Sequence, residues 1–176
     1  GGLGNDTIDL GASDSASDTV AIAFGGQGVD QITNFNPGAT NGDILDFFGT
    51  SDVNDASGST LDLDGFTVYN DASNHELVDG LTIFDNGGNL SNATSSSSVL
   101  TKLEIASYLD DLAGSSEAVS LGDTADVAYI GVSDGTNTTI AQVTDDLSAT
   151  KVTIVTHLMG VGDAGLLTAD NFQDFV

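Results

Sequence analysis

Short apolar runs punctuated by Gly, Ser, Asn and Asp dominate this chain, a pattern that reads as many short strands joined by turns. In the first fifty residues Ile8, Val20, Ile32 and Ile44 fall twelve apart, and Asp6, Asp18 and Asp30 each stand two places before the apolar residue. The fourth block slips, with Gly42 at that place and Asp43 one later. Fixed-period self-similarity predicts a solenoid, here four successive strand-and-loop rungs over 6–10, 18–24, 30–35 and 43–48.

Beyond the rungs the pattern changes. Residues 50–59 read as loop. Residues 61–64 alternate and run into Gly65-Phe66-Thr67-Val68-Tyr69, a strand pair or one bent strand. A polar turn over 70–76 leads to a strand over 77–84, kinked at Asp79-Gly80. Residues 85–98 are low-complexity and expected to be mobile. Residues 99–113 form the one helix, with Leu100, Leu103, Ile105, Ala106, Leu109 and Leu112 as its apolar stripe. Ser98 or Thr101 caps it, Glu104 completes a capping box with Thr101, and Gly114 ends it. Strands over 126–133, 138–144 and 151–159 make an antiparallel meander, with a hairpin at Asp134-Gly135 and a turn at Asp145-Asp146. The predicted class is mostly β: a short parallel β-roll or solenoid over 1–48, then a β-sandwich-like or meander cap over 49–176 carrying one helix.

Charge sharpens the picture. The net charge is -25, with Lys102 and Lys151 as the only basic side chains. Nucleic acid and anionic membranes would be repelled. Of the 27 acidic residues only three are Glu. Asp is the shorter carboxylate, suited to tight turns and oxygen cages. Halophilic adaptation would instead scatter both acids over the surface. There is no Cys, so no disulfide supports the fold. No run approaches the ~20 apolar residues of a membrane span, and membrane insertion is not expected.

Two nine-residue phrases carry the chemistry. Gly1-Gly2-Leu3-Gly4-Asn5-Asp6-Thr7-Ile8-Asp9 and Gly25-Gly26-Gln27-Gly28-Val29-Asp30-Gln31-Ile32-Thr33 both fit G-G-x-G-x-D-x-U-x, with U a large apolar residue. Glycine permits positive φ, so loop carbonyls can face one point, and the Asp adds an anionic oxygen. Such a loop suits Ca²⁺, which takes six to eight oxygens in flexible geometry. The phrases resemble the hemolysin-type calcium-binding repeat of RTX proteins, a family exported by type I secretion. There, stacked repeats form a parallel β-roll with calcium between adjacent loops. The resemblance covers 18 of 176 residues, and the two repeats are not contiguous, so the segment reads as the end of a longer array.

The resemblance implies Asp6 and Asp30 as side-chain ligands, with carbonyls from the Gly1, Leu3, Gly25 and Gln27 loops. Asp18 follows in register but lacks the glycines. Asp9 and Asp43 are placed to reach a shared ion, and Asp14 lies in a loop between rungs. Asn34, Asn36 and Asn41 offer carbonyl oxygens, although turns favour Asn in any case. Asp62 and Asp64 share a strand face, where solvation explains them as well as a cation does. The ending Leu167-Thr168-Ala169-Asp170-Asn171-Phe172, closed by Asp174-Phe175-Val176, resembles the C-terminal tail of type I secreted proteins. Its alternative is a last strand docked on the sheet.

Enzyme motifs are lacking. No His-Glu-x-x-His, Gly-x-Ser-x-Gly or phosphate loop occurs, and carboxylate pairs mean little in so acidic a chain. His75 falls in a turn, and His157 alternates with Val155 and Met159 as half-buried structure. The sequence therefore predicts a non-catalytic, calcium-binding RTX region of a secreted bacterial protein, extracellular or at the cell surface, with the type I secretion machinery as partner. The rivals are a surface-layer or adhesin module that self-associates through calcium, the tail of a secreted protease or lipase, and a carbohydrate-binding domain. Self-repulsion should oppose folding until cations bind.

Overall fold

A computed structural model of the chain describes residues 1–11, 16–23, 28–48, 66–70, 76–77, 80–85, 87, 91–112, 120–121, 127–145 and 150–173. The expectations for 50–59, 61–64, Asp14, Gly25, Gln27, His75, Asp146 and 174–176 lie outside these residues. Among the described residues the protein is mostly β with one α-helix and a mixed sheet.

Strands form at all four rung positions: β1 (Thr7–Asp9), β2 (Thr19–Ala23), β3 (Asp30–Thr33) and β4 (Ile44–Phe48). They do not stack in succession. β1 pairs in parallel with β3, placing Ile8 beside Ile32, while β2 pairs in parallel with β4, placing Val20 beside Leu45. Consecutive strands thus enter different sheets, and the twelve-residue spacing marks alternation between sheets rather than one rung on the next. The intervening loops are long enough to cross the ~10 Å between packed sheets. The predicted β-roll of four successive rungs is corrected accordingly.

The remaining strands are β5 (Phe66–Tyr69), β6 (Glu76–Leu77), β7 (Leu81–Phe84), β8 (Ser120–Leu121), β9 (Val127–Ser133), β10 (Thr138–Asp145), β11 (Thr150–Met159) and β12 (Phe172–Gln173). The main sheet has seven strands in the order β1-β3-β11-β10-β9-β7-β5, and a second has β12-β4-β2. Within the main sheet only β10 runs against its neighbours. The antiparallel meander β9-β10-β11 is as expected. The division at 48/49 does not separate the sheets, because β11 adds to β3 and β12 adds to β4.

The main sheet is covered on both faces. Towards the small sheet, Ile32, Leu81, Ile83, Tyr129 and Leu158 pack with Val20, Ile22, Leu45 and Phe47. On the other face Phe84, Ala128, Ile130, Val132 and Val143 pack with Leu100, Ile105, Tyr108 and Leu109. All seven residues of β9 are buried, as a central strand between two layers requires.

Helix α1 (Lys102–Leu112) starts as expected. Glu104 Oε2 accepts from Thr101 N at 2.9 Å, and Glu104 N donates to Thr101 Oγ1 at 3.4 Å. Hydrogen bonds from Ser96 and Thr101 hold the Glu104 carboxyl down to about 2. Among the described side chains the stripe differs at Leu103, which is 77% exposed, and Tyr108 turns inward instead. Residues 91–98, within the stretch expected to be mobile, carry two long-range contacts. Ala93 N donates to Ser133 O at 2.9 Å, and Asn137 Nδ2 donates to Ser98 O at 2.8 Å.

The hairpin forms at Asp134-Gly135, where Asp134 Oδ1 accepts from Thr136 N and Asn137 N at 2.9 and 2.8 Å. His157 is buried beside Thr139, 2.9 Å from Nδ1 to Oγ1. Burial lowers its pKa below the usual value, against the field of Asp134, so the neutral ring is favoured.

Candidate metal-binding loops

The loop of the first glycine phrase packs against Gly28 and Val29 of the second. Gly28 has φ +108°, and a Cβ there would collide with the Gly4 carbonyl and come within 2.8 Å of Asn5 Oδ1. Glycine is therefore required both for the backbone angle and for the close approach of the two loops. Asn5 Oδ1 accepts from Val29 N at 2.9 Å, and Gln31 N donates to Asp6 O at 2.9 Å. The two phrases are thus stitched together before any ion is considered.

Asp6 and Asp30 meet at this junction. Asp30 Oδ1 accepts from Asp6 N at 2.9 Å. The second oxygens of both carboxylates border the same space. A Cβ placed on Gly1 would lie 2.7 Å from Asp6 Oδ2 and 2.8 Å from Asp30 Oδ2. Asp6 Oδ2 is buried and has no hydrogen-bond partner among the described residues. A buried carboxylate oxygen without a donor is costly unless a cation or proton satisfies it. Two converging carboxylates edged by glycine backbone fit a hard, oxygen-seeking cation, with carbonyls and water completing the shell. Among the described residues no three His, Asp or Glu side chains gather into one group.

The other expected ligands have different neighbours. Asp43 is 3% exposed, and both its oxygens are taken: Oδ1 by Asp18 N at 2.9 Å and Oδ2 by Asn36 N at 2.8 Å. It fastens β4 to β2 as Asp30 fastens β3 to β1, with its carboxylate already satisfied by protein donors. Asp18 contributes its N–H to that contact. Asp9 Oδ1 accepts from Gly11 N at 3.0 Å and Asn34 Nδ2 at 2.7 Å, which lower its pKa. Asp9 and Asp43 therefore make separate protein contacts. Leu3 is 83% exposed. Asn36 Nδ2 donates to Asn41 O at 2.9 Å, closing the loop between β3 and β4.

Asn171 was not singled out by its sequence context, apart from the tail phrase that contains it. It is fully buried. Its Oδ1 accepts from Gly38 N and Thr168 N at 3.0 and 2.9 Å, and its Nδ2 donates to Gly38 O and Asp43 O at 3.2 and 2.8 Å. The tail, with 3₁₀ turns at Ala164–Leu166 and Ala169–Asn171, thereby docks on the loop between β3 and β4. A further acidic pair, Asp85 and Asp163, is explained by a shared donor: Gly87 N reaches Oδ1 of each, at 2.9 and 3.1 Å. Comparison with protein-family models, curated proteins and solved structures returns no match.

Proposed function

We propose that this chain is a calcium-binding region of the RTX type, carried by a bacterial protein that leaves the cell by type I secretion and folds when it meets external calcium. The observation that carries this reading is the buried Asp6 Oδ2, without a hydrogen-bond partner among the described residues, beside Asp30 at the junction of the two glycine phrases. Parallel pairing of β1 with β3 supports the reading further, because it sets the Asp6 and Asp30 ends of the two glycine phrases side by side.

The proposed role is binding and folding, without catalysis. A calcium ion would supply positive charge between Asp6 and Asp30, in a chain of net charge -25. Glycine backbone lets the loops close on one another, and Asn5 and Asp30 hold them in register. In the cytosol, where free calcium is scarce, self-repulsion would keep the chain loose for export. Outside, ion binding to the folded form alone shifts the balance. The proposed partners are calcium, the export machinery reading the tail and, at a cell surface, further copies of the chain.

Comparing thermal unfolding in chelator and in millimolar calcium tests this reading. One site at a hundredfold excess over Kd adds about 2.7 kcal/mol. That corresponds to roughly 5–10 °C for a domain of this size. The same melting temperature in both buffers would refute it.

A further inference from the structure

Asp30 is held from two directions. Its side chain faces Asp6, and its backbone is held by β11, a strand far along the chain. β11 pairs with β3 so that Thr156 stands opposite Asp30, and Thr156 Oγ1 donates to Asp30 O at 3.0 Å. Thr156 is fully buried, whereas Asp30 is half-buried at the start of β3. The contact spans 126 positions in sequence, so no property of the glycine phrases predicts it. On its other side Thr156 pairs with Ile140 of β10, immediately before a register shift between Ile140 and Ala141.

We propose that Thr156 is a positioning residue for the calcium site: its hydroxyl fixes the Asp30 backbone, and with it the direction in which the Asp30 carboxylate meets Asp6. This rests on the calcium reading of the two loops. Strand pairing alone leaves the residue at the start of a strand free to pivot. A hydroxyl bonded to its carbonyl removes that freedom, as outer contacts orient ligands in metal sites generally. By linkage, the ion and the docking of β11 support one another. The glycine phrases alone would hold the ion more weakly than the full chain does.

Calcium affinity of the full chain, measured by titration calorimetry beside the melting temperature in chelator, tests this. Thr156→Val keeps the shape and removes the donor, and should weaken calcium binding roughly tenfold. Thr156→Ser restores the hydroxyl and should return Kd to within about twofold of the parent. A purely packing role would lower the melting temperature of both variants in chelator and leave Kd unchanged, which would overturn the proposal. If Thr156→Val gives no cooperative melt, Thr156→Cys, with its weak S–H donor, takes its place under the same criterion. A parent chain that takes up no calcium overturns the calcium reading and this inference together. A parent that binds while Thr156→Val binds equally well overturns this inference alone.

Discussion

Asp30→Asn should weaken calcium binding about a hundredfold or more and remove most of the thermal stabilisation that calcium gives the parent chain. The loss should exceed the ten- to hundredfold typical of outer-contact changes, because Asp30 would lose a ligating charge itself. The amide oxygen can still accept the Asp6 N–H, so the 2.9 Å contact between the two phrases survives. In chelator the variant should therefore melt at or slightly above the parent temperature, since one of two converging carboxylates has been neutralised. Asp43→Asn separates the roles. Asp43 already spends both oxygens on backbone donors, and Asn leaves one of those donors facing an NH₂ group. That change should lower stability in calcium and chelator alike, with little effect on affinity. Calorimetry and melting of both variants check the pair. Equal calcium affinity for Asp30→Asn and the parent would contradict the assignment.

Asn171→Ala should produce the largest loss of stability of any single change considered. The side chain is fully buried and makes five hydrogen bonds, four to backbone groups of Gly38, Asp43 and Thr168 and one to the Thr168 hydroxyl. Truncation strands two backbone N–H groups and two carbonyls, each costing about 1–3 kcal/mol when left unsatisfied. Allowing for water entry and relaxation, the expected loss is roughly 3 kcal/mol or more. Urea unfolding in calcium measures it, with exposed Gln173→Ala as a control expected within about 0.5 kcal/mol of the parent. A loss under about 1 kcal/mol for Asn171→Ala would show that the tail is not a structural latch. Residues buried against Gly38 and Asp43 in the folded chain are accessible to a partner only before folding.

Much of the secondary structure was legible because it depends on local chemistry. The Thr101–Glu104 cap, the Asp134-Gly135 hairpin and the strands around Ile8, Val20, Ile32 and Ile44 all form where turn residues and periodicity place them. The pairing of those strands was not legible. A twelve-residue spacing is compatible with one rung on the next or with alternation between two facing sheets, and only tertiary packing chooses. Leu103 fits a 3.6-residue stripe as well as Tyr108 does. The choice falls to Tyr108, whose ring meets Phe84 edge-on at 6.0 Å.

The site divides in the same way. That Asp6 and Asp30 meet follows from the glycine phrases, whose backbone approach brings the two together. Asp43 carries the same residue type at nearly the same spacing, yet its oxygens go to Asp18 N and Asn36 N. Sequence registers the carboxylate but not which donors reach it. Thr156 and Asn171 act over 126 and 133 positions, distances at which no local pattern carries information.

Crystals grown in calcium and examined by anomalous scattering would test the central claim most directly. A calcium peak about 2.3–2.6 Å from both Asp6 Oδ2 and Asp30 Oδ2, with loop carbonyls filling the shell, is the predicted result. A map in which those two oxygens face only water or a protein donor, at saturating calcium, would contradict it.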